Sequence, residues 1–197
     1  MKNLQNVRYA IATVAAVAAI GLSTSAQAQT QAMTVDLTVT NAMTLTADAQ
    51  MNFGEIIAIS DAATTASVAV NAITGALGVP TTTGAPAYIA VIDAALASEA
   101  QITVTDAAPG ATINIDIQNV VPPVNGGVSF QLGTWLSSWN GAATAARTPG
   151  TPWSQVYLDN AAAGSILQLG ATLTTNAAGT AYADGAYAGT FDVVFSY

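Results

Sequence analysis

Apolar residues recur at every second position along most of this chain. In "AMTVDLTVTN" (32–41), Met33, Val35, Leu37 and Val39 fall on one face, and Thr34, Asp36, Thr38 and Thr40 on the other. That is the period of a β-strand with one buried face. The same alternation runs through "MTLTA" (43–47), which sets Met43 and Leu45 together, and "TASVAVNAI" (65–73), which sets Val68 with Val70. In "QITVTD" (101–106) it pairs Ile102 with Val104. In "ATINIDIQ" (111–118) it places Ile113, Ile115 and Ile117 against Thr112, Asn114 and Asp116. "VSFQL" (128–132) and "LQLGATLTT" (167–175) continue the pattern, "AYIAVI" (87–92) is short and nearly all apolar, and "SQVYLD" (154–159) is a weaker run. The final run, "YAGTFDVVFSY" (187–197), puts Tyr187, Phe191, Val193, Phe195 and Tyr197 on one face.

Turn chemistry separates these runs: "APG" (108–110), "PPVNGG" (122–127), "RTPGTP" (147–152) and "ADG" (183–185). Only "IDAALASEAQ" (92–101) has helical composition, enough for one or two turns, and it lacks an apolar stripe at helical spacing. Residues 134–152 read as a long loop, the expected insertion in the domain. Many short strands spaced by turns predict an all-β antiparallel sandwich rather than βαβ units.

Composition adds an address and a boundary. Residues 1–28 read as a secretory signal peptide, with Lys2 and Arg8 at a basic start, the apolar run "YAIATVAAVAAIGL", and the small-x-small cleavage site Ala26-Gln27-Ala28. The run is short for a membrane span. Residues 29–41 then form an N-terminal extension, and residues 42–197 one domain large enough for a real core. Removal of the leader leaves Arg147 as the only cation against eleven acidic residues. Such a surface repels nucleic acid and anionic lipid, so neither nucleic acid nor direct membrane insertion is expected. With no cysteine in the chain, packing and strand pairing alone must hold the domain together.

Candidate chemistry is sparse. Without His, Cys or Lys in residues 29–197, the commonest general base, thiol nucleophiles, Schiff-base amines and most zinc ligands are missing. The carboxylates are scattered singly, at outward strand positions (Asp36, Asp116, Asp192) or in turns (Asp106, Asp184). The expectation is a protein that is not an enzyme and takes no cofactor or metal. Asp184-Gly185 and Asp159-Asn160 offer oxygen ligands but no calcium loop, and read as turn formers. Trp135 and Trp139 are candidate glycan contacts, because aromatics on a loop can stack on sugar rings. Their other reading is packing of the loop onto the sandwich. Arg147 is expected to pair with a surface carboxylate.

The two termini carry a further set of motifs. Phe53-Gly54 with Ile56, an "ITVTDAAPGATINIDI" hairpin, a "GATLT" strand, and a closing strand with Gly189-Thr190-Phe191, Val193 and Tyr197 stand together in this chain. The set resembles a family of secreted bacterial pilin-like domains of unknown function, found near chaperone–usher genes and related to spore-coat-U-type and chaperone–usher fimbrial subunits. The resemblance covers roughly residues 32–197. It lacks the cysteine pair of many pilins and adds the long 134–152 segment.

This resemblance implies an immunoglobulin-like antiparallel β-sandwich that lacks one strand and is completed by donor-strand exchange. The N-terminal extension of another copy would act as donor strand, with Met33, Val35, Leu37 and Val39 as plugs. The acceptor groove would be bordered by Phe191, Val193, Phe195 and Tyr197. The implied partners are copies of itself in a head-to-tail polymer, a periplasmic chaperone holding the same groove, and an outer-membrane usher. The implied route is export through the inner membrane, transit of the periplasm, and an extracellular or cell-surface fibre. Ten extended residues reach ~33 Å, the height of a sandwich. Four buried plugs contribute roughly 6–12 kcal/mol gross, against about 1–2 kcal/mol per residue for ordering the backbone. Edge-strand hydrogen bonds must therefore contribute too. Two local alternatives remain for residues 32–41: a hairpin turning at Asn41-Ala42 onto 43–47, or self-complementation of the same domain. A monomeric adhesin or carbohydrate-binding protein is the alternative function.

Overall fold

The computed structural model describes residues 42–158 and 164–197, and these contain thirteen strands and no helix. In chain order the strands are β1 (Thr44–Ala49), β2 (Glu55–Ile59), β3 (Ala66–Ala69), β4 (Thr81–Thr82), β5 (Tyr88–Asp93), β6 (Ala100–Thr105) and β7 (Thr112–Asn125). They continue as β8 (Val128–Ser129), β9 (Gln131–Trp139), β10 (Ala145–Arg147), β11 (Trp153–Val156), β12 (Ser165–Thr174) and β13 (Ala188–Ser196). Every pairing is antiparallel, and the architecture is that of a β-sandwich.

The larger sheet is built around β12. Residues 167–174 of β12 pair with β9 on one flank, and β9 pairs onward with β10. On the other flank β6 pairs with residues 165–169 and β3 with residues 172–174, end to end. Beyond them lie β1, against β6, and β4, against β3. The facing sheet is centred on β7, with β11 and the short β8 on one side and β13 on the other. A separate two-stranded sheet pairs β2 with β5.

Two apolar clusters fill the space between. The main one joins Ile113, Ile115 and Ile117 of β7 to Val104, Leu167 and Leu169, all fully buried, together with the three tryptophans. The second joins Val68, Ile89, Phe130 and Leu173 at the other end of β12, where Phe130 stacks on Tyr182 with ring centroids 4.2 Å apart. Period-two patterning put the isoleucines and leucines here. Burial of whole Leu or Ile side chains stabilises by about 1.5–3 kcal/mol each.

Four sequence expectations are corrected. Residues 92–101 form no helix: β5 runs through Asp93, and the Asp93 carboxylate accepts the N–H of Ala95 to start a turn. Without an apolar stripe, alanine propensity does not hold a helix there. The 134–152 segment is not a loop, since β9 continues to Trp139 and β10 follows. "ITVTDAAPGATINIDI" is not a hairpin, because β6 and β7 belong to different sheets and Asp106, in left-handed conformation, begins the crossing between them. Their apolar faces meet across the core instead of sharing a sheet. Finally, β7 extends through Pro122 and Pro123. Both sit at a register shift where Gly189 alone faces them between the Thr190–Val121 and Ala188–Val124 pairs. A bulge asks no N–H of proline, and a Cβ on Gly189 would stand 2.7 Å from the Pro123 nitrogen.

Candidate functional site

The two sheets leave two lateral flanks, one between β10 and β11 and one between β1 and β13. On the second, among the described residues, β1 pairs only with β6 and β13 only with β7. Each therefore presents a free row of backbone donors and acceptors, the template that strand addition uses.

The side chains along this flank face the core without being covered. Leu45 of β1 stands opposite Val104, which is fully buried, yet Leu45 is 44% exposed. Ala47, opposite Ile102, is exposed as well. On β13, Val193 and Phe195 stand opposite Ile117 and Ile115, both fully buried. Phe191, Val193 and Phe195 themselves are only half-buried, although they pack against the same cluster. Phe191 meets Trp135 edge-on at 4.9 Å between centroids. The result is an apolar trough with β1 as one wall and β13 as the other.

One hydrogen bond crosses the end of the trough. Tyr197, just past β13, donates its hydroxyl to the carbonyl of Ala42, just before β1, at 3.2 Å. The two strands run in opposite directions, so this bond joins the last residue of one to the threshold of the other. Polar side chains stay on the far faces: Thr103 donates to Asp48 at 2.6 Å, and Asn119 to Asp192 at 2.7 Å. Among the described residues no group of three or more His, Cys, Asp or Glu is placed to hold a metal ion.

The sequence-predicted residues divide into three sets. Phe191, Val193, Phe195 and Tyr197 come together along the open flank. Met33, Val35, Leu37 and Val39 lie outside the described residues, as do the proposed leader and Asp159-Asn160. Trp135 and Trp139 are inside the main core, 2% and 8% exposed, with no ring face open to a sugar. The Trp139 indole N–H donates to the carbonyl of Val156 at 3.0 Å. This is the packing reading of the tryptophans, and it replaces the glycan contact.

Arg147 also departs from expectation. Its partners are the Ser137 hydroxyl, 2.7 Å from Nε, and the Trp153 ring, 4.6 Å below the guanidinium carbon, rather than a carboxylate. Burial pushes its pKa down. Sequence reading missed Leu45 and Ala47 as walls of the trough. Their alternation was visible, but the absence of a covering strand is a property of pairing. Comparison with protein-family models, with curated proteins and with solved structures finds no match to this chain.

Proposed function

We propose that this protein is a structural, non-catalytic subunit of an extracellular fibre, in which the trough between β1 and β13 accepts residues 29–41 of another copy. The observation that carries the reading is the uncovered core face of both edge strands: Leu45 stands 44% exposed beside fully buried Val104. An added strand would seat Met33, Val35, Leu37 and Val39 over those side chains and pair with the free backbone edge. The order β1-β6-β12-β9 facing β7-β13 supports the reading, since an immunoglobulin-like sandwich without its last strand would leave its gap at the edge of β13.

The same trough would be the hold of a periplasmic chaperone before assembly at an outer-membrane usher. The signal-like residues 1–28 agree with export to the cell surface. A contact in which one copy's extension enters another copy's trough is heterologous and generates an open fibre. A monomeric adhesin working through Trp135 and Trp139 loses its support with their burial.

The test is a disulfide between the middle of the donor and the middle of β13, in a chain that has no native cysteine. The pair Val35→Cys and Val193→Cys is expected to give a ladder of covalent oligomers on non-reducing gels. A cross-linked monomer would mean that the strand folds back on its own domain. No cross-link of either kind would end the reading.

A further inference from the structure

The exposed apolar side chains are not confined to the trough. The inner face of the β2–β5 sheet, Ile56, Ala58, Ile89 and Val91, packs against the cluster around Phe130 and Leu173. The outer face is apolar too. Ile59 stands opposite Tyr88, and Ile57 opposite Ala90. Ile57, Ile59, Tyr88 and Ile92 are 52%, 48%, 50% and 56% exposed. Glu55 and Asp93 face each other at one end of this sheet.

β12 defines the two ends of the molecule. Its first residue, Ser165, pairs with Val104 beside the start of β1, and its last residues pair with β3, next to the β2–β5 sheet. Ala42 and Tyr197 therefore lie at the opposite end from β2–β5. Val156 and Leu158 share their end: Val156 pairs with Thr112, and the Tyr157 N–H bonds the Ala111 carbonyl. Val156, Leu158 and Tyr197 are 49%, 51% and 46% exposed.

We propose that the outer face of β2–β5 is the seat of a second copy of this chain, which docks through the end that carries Val156, Leu158 and Tyr197. The inference rests on the strand-exchange reading and adds a contact to it. Three Cα–Cα steps separate the last plug, Val39, from Ala42, which Tyr197 holds to the body. They reach about 11 Å. A copy whose Val39 is seated in a neighbour's trough must bring its Ala42 end to within that distance of the trough's exit. In the neighbour, the Tyr197–Ala42 bond crosses the near end of the trough, which leaves the exit beside β2–β5. The two apolar ends thus meet.

Charge points the same way. With eleven acids against Arg147 once the leader is removed, copies repel each other through charged surface and join through uncharged surface. Both ends supply it in their exposed apolar side chains, with Glu55 and Asp93 confined to one end of the β2–β5 sheet. A few apolar side chains on each side fall short of the roughly 1,000 Å² of a stable interface. The contact therefore forms only when the seated strand has raised the local concentration of the second copy.

The experiment uses the full chain with Tyr88→Cys and Leu158→Cys, beside the Val35→Cys and Val193→Cys pair. Tyr88 and Leu158 are half exposed, and circular dichroism verifies that every variant folds. The expected result is a covalent ladder from both pairs, with the Tyr88–Leu158 ladder lost when Ile57→Asp and Ile59→Asp are added. A ladder from Val35–Val193 without one from Tyr88–Leu158 overturns the docking and leaves strand exchange standing. Failure of Val35–Val193 overturns both.

Discussion

The flank between β10 and β11 and the flank between β1 and β13 are built on the same sandwich and end differently. On the first, Trp139 reaches from β9 to the Val156 carbonyl of β11, and Arg147 reaches from β10 over the Trp153 ring. Trp139, Trp153 and Arg147 close the gap between the sheets, and the two indoles belong to the main core. On the second, β1 supplies threonine, alanine and an exposed Leu45, and among the described residues the hydrogen bond that crosses is Tyr197 to Ala42. Pairing leaves both flanks with a free edge. What differs is side-chain volume: indoles span the roughly 10 Å between sheets, and Leu45 and Ala47 do not.

The largest test of this difference is Trp139→Ala. It is expected to cost about 3–5 kcal/mol in denaturant unfolding, whereas Leu45→Ala should cost less than about 0.5 kcal/mol while the trough is empty. Equal losses would mean that the two flanks are packed alike. Next comes occupation of the trough. A peptide of residues 29–41 added to protein beginning at Ala42 should stabilise it by about 2.7 kcal/mol at a hundred times its dissociation constant, and Phe195→Ala should erase most of that gain. No shift in unfolding midpoint at saturating peptide would count against the trough as a strand site.

A finer probe separates charge from bulk on the closed flank. Arg147→Met keeps the stem and loses the bond to Ser137 and the stacking on Trp153, for an expected loss of about 1–2 kcal/mol. Trp153 fluorescence should report the altered ring environment, and an unchanged spectrum would place the guanidinium elsewhere. The smallest effect belongs to Tyr197→Phe. It removes one exposed hydrogen bond to Ala42, worth at most about 1 kcal/mol, and should raise amide exchange at the start of β1 before it alters global stability. A large global loss would show that the open flank depends on that bond.

Much of the sandwich was legible without coordinates. The alternation of Ile113, Ile115 and Ile117, of Leu167, Leu169 and Leu173, and of Phe191, Val193 and Phe195 determined strands and their inner faces, because a pleated backbone sends every second side chain to one side. Absence of His and Cys bounded the chemistry. The pattern failed where an inward position was polar or a turn residue sat in a strand. Ser137 stands between Trp135 and Trp139, is 3% exposed, and has its hydroxyl bonded by Arg147. An arginine on the neighbouring strand β10 was needed to make that serine tolerable inside. Pro122 and Pro123 stay in β7 because the bulge they form opposite Gly189 of β13 asks nothing of their missing N–H groups.

What the sequence by itself determined is therefore which residues want to be inside. Which strand lies beside which was decided only by the tertiary structure. Residues 102–117 read as a hairpin, and the chain instead carries β6 and β7 into opposite sheets. The same holds for the trough. Leu45 and Phe195 announce apolar faces, but their exposure follows from which strands pair beside them, and pairing between distant segments leaves no period in the sequence to read.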